Sequence, residues 1–425
     1  MSRRALILLE GASNGRLYVQ TAQRLGLHPI TLSADPTRHD YLAAGGCEAI
    51  RVDTDNVDAM IHECSRLPPM FDIAGVTSAG ESVCAAVGKL CLYFDLPGPP
   101  PAAVERCRDK FAQRQLLAEA GVPVPAYRLA VNPTDVEKAA AEIGLPVIVK
   151  PAAGSGSSGV RLCRDVDELA EHSAYLLGEK YIWRSSPRIL VEEFAQGPHY
   201  SVEMMGNEVI AIGTADFGGP PHFVCREYIY PALLSDDEHR GIADVSLSAL
   251  QALGLAWGPT NVDVRWTTLG PVVIEVNPRL AGTPNPQLVK LAYGVDLITE
   301  HIKLVIGEKC NLRRSHPHSA GAKILVPDRD GILDAIGGES QAAAVPGVTE
   351  VKFSIEPNTP IVRKGDYRDR IGHVIAASPN LAQTKAILQH AVHFIDWSIT
   401  PFPTQGEQKQ RLQPRTARTD ADDVR

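Results

Sequence analysis

Through residues 1 to 96 the hydrophobic period switches back and forth. Short apolar runs in "RALILLE", "HPITLSA", "EAIRVD" and "FDIAGVTSA" alternate with helical patterns around "LYVQTAQRLG", from Val57, and from Glu81 through Leu92. Such alternation admits few solutions, because parallel strands must be joined by crossovers that cover the faces of the sheet. It predicts an α/β chain that begins with a doubly wound parallel-sheet domain over residues 1–108. "LPGPPPAAVERCRDK" closes that unit with a proline-rich turn. A small central α+β unit is expected over 109–187. From Arg188 the text becomes strand-rich, with "RILVEEFAQG", "HYSVEMMGNEVIAIGTA" and "HFVCREYIYPA", then a helix near 237–254 and two more strands. This predicts an antiparallel sheet within 188–312, followed by a last α+β unit over 313–402. The polar tail 403–425 is expected to be disordered. No internal repeat interrupts this order.

At 425 residues the chain exceeds what one core supports. A net charge of −8 and a pI near 5.9 provide no basic field for nucleic acid. No apolar run approaches a membrane span. "MSRRALILLE" carries two arginines, but its apolar run ends at Glu10, so it reads as a first strand and not a signal peptide. A cytoplasmic location is expected. The eight cysteines include no C-x-x-C pair and no histidine at zinc-ligand spacing, which leaves reduced structural thiols.

Two hairpins carry candidate chemistry. In "VIVKPAAGSGSSGV" the lysine, Lys150, precedes the glycine loop, whereas a P-loop needs it after. Gly154, Gly156 and Gly159 spell G-x-G-x-x-G, but "VRLC" follows as a strand where a dinucleotide fingerprint needs a helix. What remains is a hairpin with a flexible tip, Gly154, Ser155, Gly156, Ser157, Ser158 and Gly159. Its backbone N–H groups can approach phosphate oxygens closely; from this segment alone, a mobile surface hairpin competes equally. In "NVDVRWTTLGPVVIEVNP", Asp263 and Glu275 fall on one side of a hairpin, with Asn277 further along the same face. Hard oxygen ligands near a polyphosphate suit Mg²⁺. Val273, Ile274 and Val276 mark the second strand of this hairpin as central to its sheet.

Five pieces in order, "CRDKFAQR" with Lys110, "VIVKPAAGSGSSGV" with Lys150, "VEEFAQG", "NVDVRW" with Asp263, and "VVIEVNPRLAG" with Glu275, Asn277 and Arg279, resemble the ATP-grasp superfamily of carboxylate-amine ligases. The resemblance covers roughly residues 1 to 400. It implies an ATP-grasp fold, with the central unit as a lid domain and ATP bound between two antiparallel sheets. By it Lys110 and Lys150 would reach the α- and β-phosphates, and the tip Gly154–Ser158 would cover them. The backbone of Glu193 and Phe194 would read adenine, with a carboxylate of Glu192 or Glu193 near its amino group or the ribose. Many relatives hold the ribose with a Glu where this chain has His199. Asp263, Glu275 and Asn277 would bind two Mg²⁺ ions, with Mn²⁺ as an alternative, and Asp263 stands where relatives more often have Glu. Arg279 would be the catalytic side chain, bridging the γ-phosphate and the activated carboxylate.

Within the superfamily the chain looks most like the L-amino acid ligases that make dipeptides, including those of antibiotic biosynthesis. That implies amino acid substrates, ADP and phosphate as products, and a homodimer. Glu227 and Glu81 would hold the ammonium of the first amino acid, with a salt bridge from Glu227 to Arg226 or another base as the competing reading. Tyr230, Gly282 and Thr283 would line the same substrate pocket. A biotin-carboxylase or purine-pathway carboxylase, and a sensor that has lost catalysis, are the rival functions.

Overall fold

A computed structural model describes residues 3–11, 14–43, 47–178 and 188–402; the expectation for the tail 403–425 lies outside them. The N-terminal alternation forms a parallel sheet of four strands, Arg3–Leu9, His28–Ser33, Glu48–Arg51 and Phe71–Ser78, in spatial order third, second, first, fourth. Its inner side chains, among them Ile7, Leu9, Ile30, Leu32 and Val76, pack with Met60 and Leu90 of the covering helices. Strand order reverses between the first and fourth strands, and such a switch point opens a crevice at the carboxyl ends of the strands. Asn14 and Glu81 stand just past those two ends.

The central unit is an antiparallel sheet of Tyr127–Ala130, Ile189–Glu193, Val147–Pro151 and Arg161–Cys163, in that spatial order. Val147, Val149, Ile189 and Val191 bury one face against helices Pro133–Ile143 and Val166–Leu177, whose first turns are capped by the Asn132 and Asp165 side chains. The other face, with Ile148 and Lys150, lines a cavity. The hairpin predicted around Lys150 is present, with Val147 opposite Cys163 and the Gly-Ser tip between.

The main sheet has eight strands, ordered Gly270–Asn277, Pro259–Thr267, His199–Met205, Glu208–Asp216, Glu227–Tyr230, Ser319–Leu325, Gly372–Ser378 and Val348–Phe353. It runs without a break from the 188–312 segment into the 313–402 segment. A three-stranded sheet of Pro360–Ile361, Gly331–Gly337 and Asp396–Thr400 completes the C-terminal part. One expectation is corrected: strand Gly270–Asn277 lies at the edge of the sheet, not its centre. Its valines are apolar because Val273 and Val276 pack in a core with helix Asp236–Leu253. Its free backbone edge is covered by helix Lys110–Glu119: the Gln113 amide accepts from Val276 N–H at 2.8 Å and donates to Val276 C=O at 2.9 Å. A side chain here stands in for a missing strand. Among the described residues no helix is long and apolar enough to cross a membrane, and all eight cysteines are free thiols.

Candidate active site

A cavity of about 670 Å³ opens between the lid sheet and the main sheet, with the N-terminal domain on one side. Its floor follows from strand parity. His199 pairs with Arg265, Ser201 with Asp263, and Glu203 with Asn261 across two antiparallel strands. Asp263 in turn pairs with Glu275, and Asn261 with Asn277. Residues two apart share a face, so the predicted metal residues Asp263, Glu275 and Asn277 converge on the cavity, and all three line it.

Lys110 and Lys150 both line the cavity. Lys110 Nζ lies 2.7 Å from Glu275 and also donates to the Gly154 carbonyl of the lid tip. Burial opposes its charge, but Glu275 and Glu81 outweigh that and raise its pKa. Lys150 Nζ lies 2.5 Å from Glu192, whose other oxygen receives the Nε–H of the fully buried Arg114 at 2.5 Å. Two cations thus share one carboxylate. Burial dominates for Lys150, and with Arg114 beside it the pKa falls below the ordinary lysine value despite Glu192. A buried cation so weakly compensated fits a site for an anion such as a polyphosphate. Glu192, expected at adenine or ribose, instead has its carboxylate held by Arg114 and Lys150. At the hinge, Glu193 N–H donates to Ala126 C=O at 2.8 Å and the Glu193 carboxylate accepts from Ala126 N–H, so the Glu193 N–H is already engaged. His199 meets Asp263, one of the expected metal residues, at 3.2 Å.

Arg279 reaches the far end of the floor. It donates through Nη2 and Nε to one Glu81 oxygen, at 2.9 and 3.3 Å, and through Nη1 to the Leu280 carbonyl. Burial works against its charge, yet Glu81 and then Glu275 raise its pKa. Glu81 therefore comes to the site as predicted, but it faces the guanidinium. Gly282 and Thr283 line the cavity next to it, and Thr283 Oγ1 donates to Asn14 Oδ1 at 2.8 Å.

Two residues expected in the substrate pocket do not line the cavity. Glu227 is absent from the cavity wall: it pairs in register with Lys323 and forms an ion pair with it at 2.7 Å. The competing reading, a salt bridge to a base, is what occurs, and parity gives the reason, since its neighbour Tyr228 takes the cavity face. Tyr230 lies below the floor, fully buried, with its ring on Gly213, where an added Cβ would stand 2.6 Å away. Its hydroxyl donates to Glu203 at 3.3 Å.

Sequence reasoning missed several residues. Asn261 and Arg265 stand two positions either side of Asp263, so the same period-2 count would have found them. Arg265 lies over the rings of Phe194 and Phe223 and donates to the Ala195 carbonyl. Arg114, one turn past Lys110, was also within reach of a helical count. Asn14, Asn285 and Arg370 carried no local signal.

Residues 109–313 match the family described as "Carbamoyl-phosphate synthase L chain, ATP binding domain", and residues 323–400 match "L-amino acid ligase C-terminal domain 2". The chain superposes on the crystal structure of an L-amino acid ligase from Bacillus licheniformis with a TM-score of 0.78, covering 94% of this chain and 100% of that one at 21% identity. The chain belongs to the ATP-grasp carboxylate-amine ligases. It is 59% identical over 96% of its length to "Uncharacterized protein y4rH" of Sinorhizobium fredii, of which it covers 86%. It is 26% identical over 73% of its length to human carnosine synthase 1 and spans 40% of that protein. ATP-grasp ligases use ATP with Mg²⁺, and the converging carboxylates fit that metal in a particular way. Among the described residues no group of three or more His, Cys, Asp or Glu side chains could hold a metal by itself. Asp263 and Glu275 with Asn277 are too few for an all-protein Mg²⁺ cage and suit one completed by phosphate oxygens and water.

Proposed function

We propose that this ATP-grasp ligase joins two L-amino acids, or an amino acid and a related amine, and releases ADP and phosphate. The observation that carries this reading is the placement of Arg279, between the carboxylates of the floor and the small-residue loop Leu280–Thr283. The family match of residues 323–400 supports an amino acid ligase over a carboxylase.

Lys110 and Lys150 would hold the phosphates, and the Gly-Ser tip would exclude water from an acyl phosphate that water would destroy. The carboxylate of the first substrate attacks the γ-phosphorus, the γ-phosphate oxygen bond to ADP breaks, and the amine then displaces phosphate from the acyl carbon. Asp263, Glu275 and Asn277 would hold Mg²⁺, which neutralises charge on the transferring phosphoryl group. Arg279 would leave Glu81 for the acyl oxygen and stabilise the oxyanion as the amine adds. Glu81, so released, could meet the ammonium of the first amino acid.

The test is product analysis over all pairs of amino acids, with expected products ADP and phosphate. AMP with pyrophosphate would overturn the mechanism, and a requirement for bicarbonate would replace it with the carboxylase reading. Arg279→Met should cut ligation roughly 10²- to 10³-fold, with ATP binding by equilibrium titration retained. A loss under about tenfold would move the catalytic centre elsewhere.

A further inference from the structure

Three of the cations lining the cavity are paired with carboxylates. Lys110 faces Glu275, Lys150 faces Glu192, and Arg279 faces Glu81. Arg265 is folded over two rings and donates to backbone carbonyls. Arg38 stands exposed at the mouth, where water can solvate it. Arg370 is partly buried, and no described carboxylate comes within ion-pair distance of it. Its Nη1 donates to the Thr283 carbonyl at 2.9 Å, which sets the guanidinium at the end of the substrate loop that begins with Arg279. Cys225, Tyr228, Ile324 and Asn285, which also line the cavity, carry no charge. Asn285 is 3% exposed, and its Oδ1 has no donor among the described residues. Asn285 lies two residues past Thr283, where its N–H donates to the Gly282 carbonyl at 3.1 Å. This end of the cavity therefore holds a cation without an anion and an acceptor without an N–H.

We propose that Arg370 binds the free carboxylate of the amine-donating substrate, so that the acceptor is an amino acid and not a simple amine. The inference rests on the proposed ligase function. In that reaction the acyl donor's carboxylate is consumed, first as acyl phosphate and then as amide. The acceptor's carboxylate persists from binding to product, and it is the anion for which a fixed guanidinium fork is suited. Asn285 Oδ1 would accept an N–H of the same molecule's amine and turn its lone pair toward the acyl carbon.

The experiment compares kcat/KM for each of the twenty common amino acids as acceptor with that for its carboxamide, in the full-length wild type, R370K and R370M. Wild type should favour the acid. In R370M the acid-to-amide ratio should fall roughly 10- to 100-fold, the loss expected for a charge-assisted hydrogen-bonded pair, and R370K should lie between. Turnover of the amide by the same variant reports that it is folded, and an unchanged ratio there overturns the proposal. A change that appears instead between glutamate and glutamine as acyl donor would assign Arg370 to the donor, and would overturn it too. Hydroxylamine in place of the acceptor separates the two failures. If no amino acid yields a hydroxamate with ATP, the ligase reading falls and takes Arg370 with it. If hydroxamates form but wild type has no preference for acid over amide, only the role of Arg370 falls.

Discussion

Glu203 is completely buried beneath the loop Leu280–Thr283, where it accepts from Asn261 Nδ2 at 3.1 Å and Tyr230 Oη at 3.3 Å, with Ala281 N–H at 3.5 Å. Burial, with the nearby charge of Asp263 adding to it, pushes its pKa from 4.5 up to about 7. The sign of the consequence follows. Between those values the folded protein keeps a proton on Glu203 that the unfolded chain releases, so the contribution of Glu203 to stability is greatest at the acid side and falls as pH rises toward 7. The span corresponds to about 3 kcal/mol. Glu203→Gln removes the titration, so the drop in Tm between pH 5 and pH 8, measured by scanning calorimetry, should be smaller in the variant. An equal drop in both proteins would place the proton elsewhere.

The lid hairpin shows how an element is fitted to its neighbour. Gly156 sits at φ +66°, and a Cβ added there would stand 2.4 Å from the Tyr367 ring, while Tyr367 N–H donates to Gly156 C=O at 3.1 Å. The lid tip thus rests on a turn of the C-terminal part. Left-handed backbone costs a branched residue about 1–2 kcal/mol, and the steric conflict adds to it. Gly156→Val should lift the tip and admit water to the acyl phosphate. The expected result is several-fold more ADP released per ligated product, read by parallel assays of both. A coupling ratio equal to wild type would mean that the tip does not guard the intermediate.

At the scale of the whole molecule, the eight-stranded sheet ties the C-terminal part to the floor of the cavity. Strand Glu227–Tyr230 is paired on one side by Ser319–Leu325, with Tyr228 opposite Ala322 and Tyr230 opposite Ala320. Deleting residues 313–402 would turn this strand, with its buried Ile229 and Tyr230, into an open apolar edge. It would also remove Arg370 and the Tyr367 rest. A chain ending at 312 should elute as aggregate on size-exclusion chromatography under conditions where the full chain does not. A monodisperse, ATP-binding truncation would show that the two parts fold separately.

What the sequence determined by itself is what local geometry spells. Strand parity placed Asp263, Glu275 and Asn277 on one face, the alternation of apolar runs with helical patterns separated the parallel sheet from the strand-rich antiparallel one, and the glycines of the tip marked a hairpin. Tertiary structure decided the partners. Glu81 meets Arg279 across 198 positions and Arg370 meets Thr283 across 87, and no local pattern encodes such pairs, because they depend on which surfaces meet once the units pack. The same limit misassigned Glu227, whose facing is set by its register against Ser319–Leu325. It also made Gly270–Asn277 look central: apolar side chains report that a face is covered, whereas the number of hydrogen-bonded neighbours depends on backbone edges, here closed by a glutamine from another element.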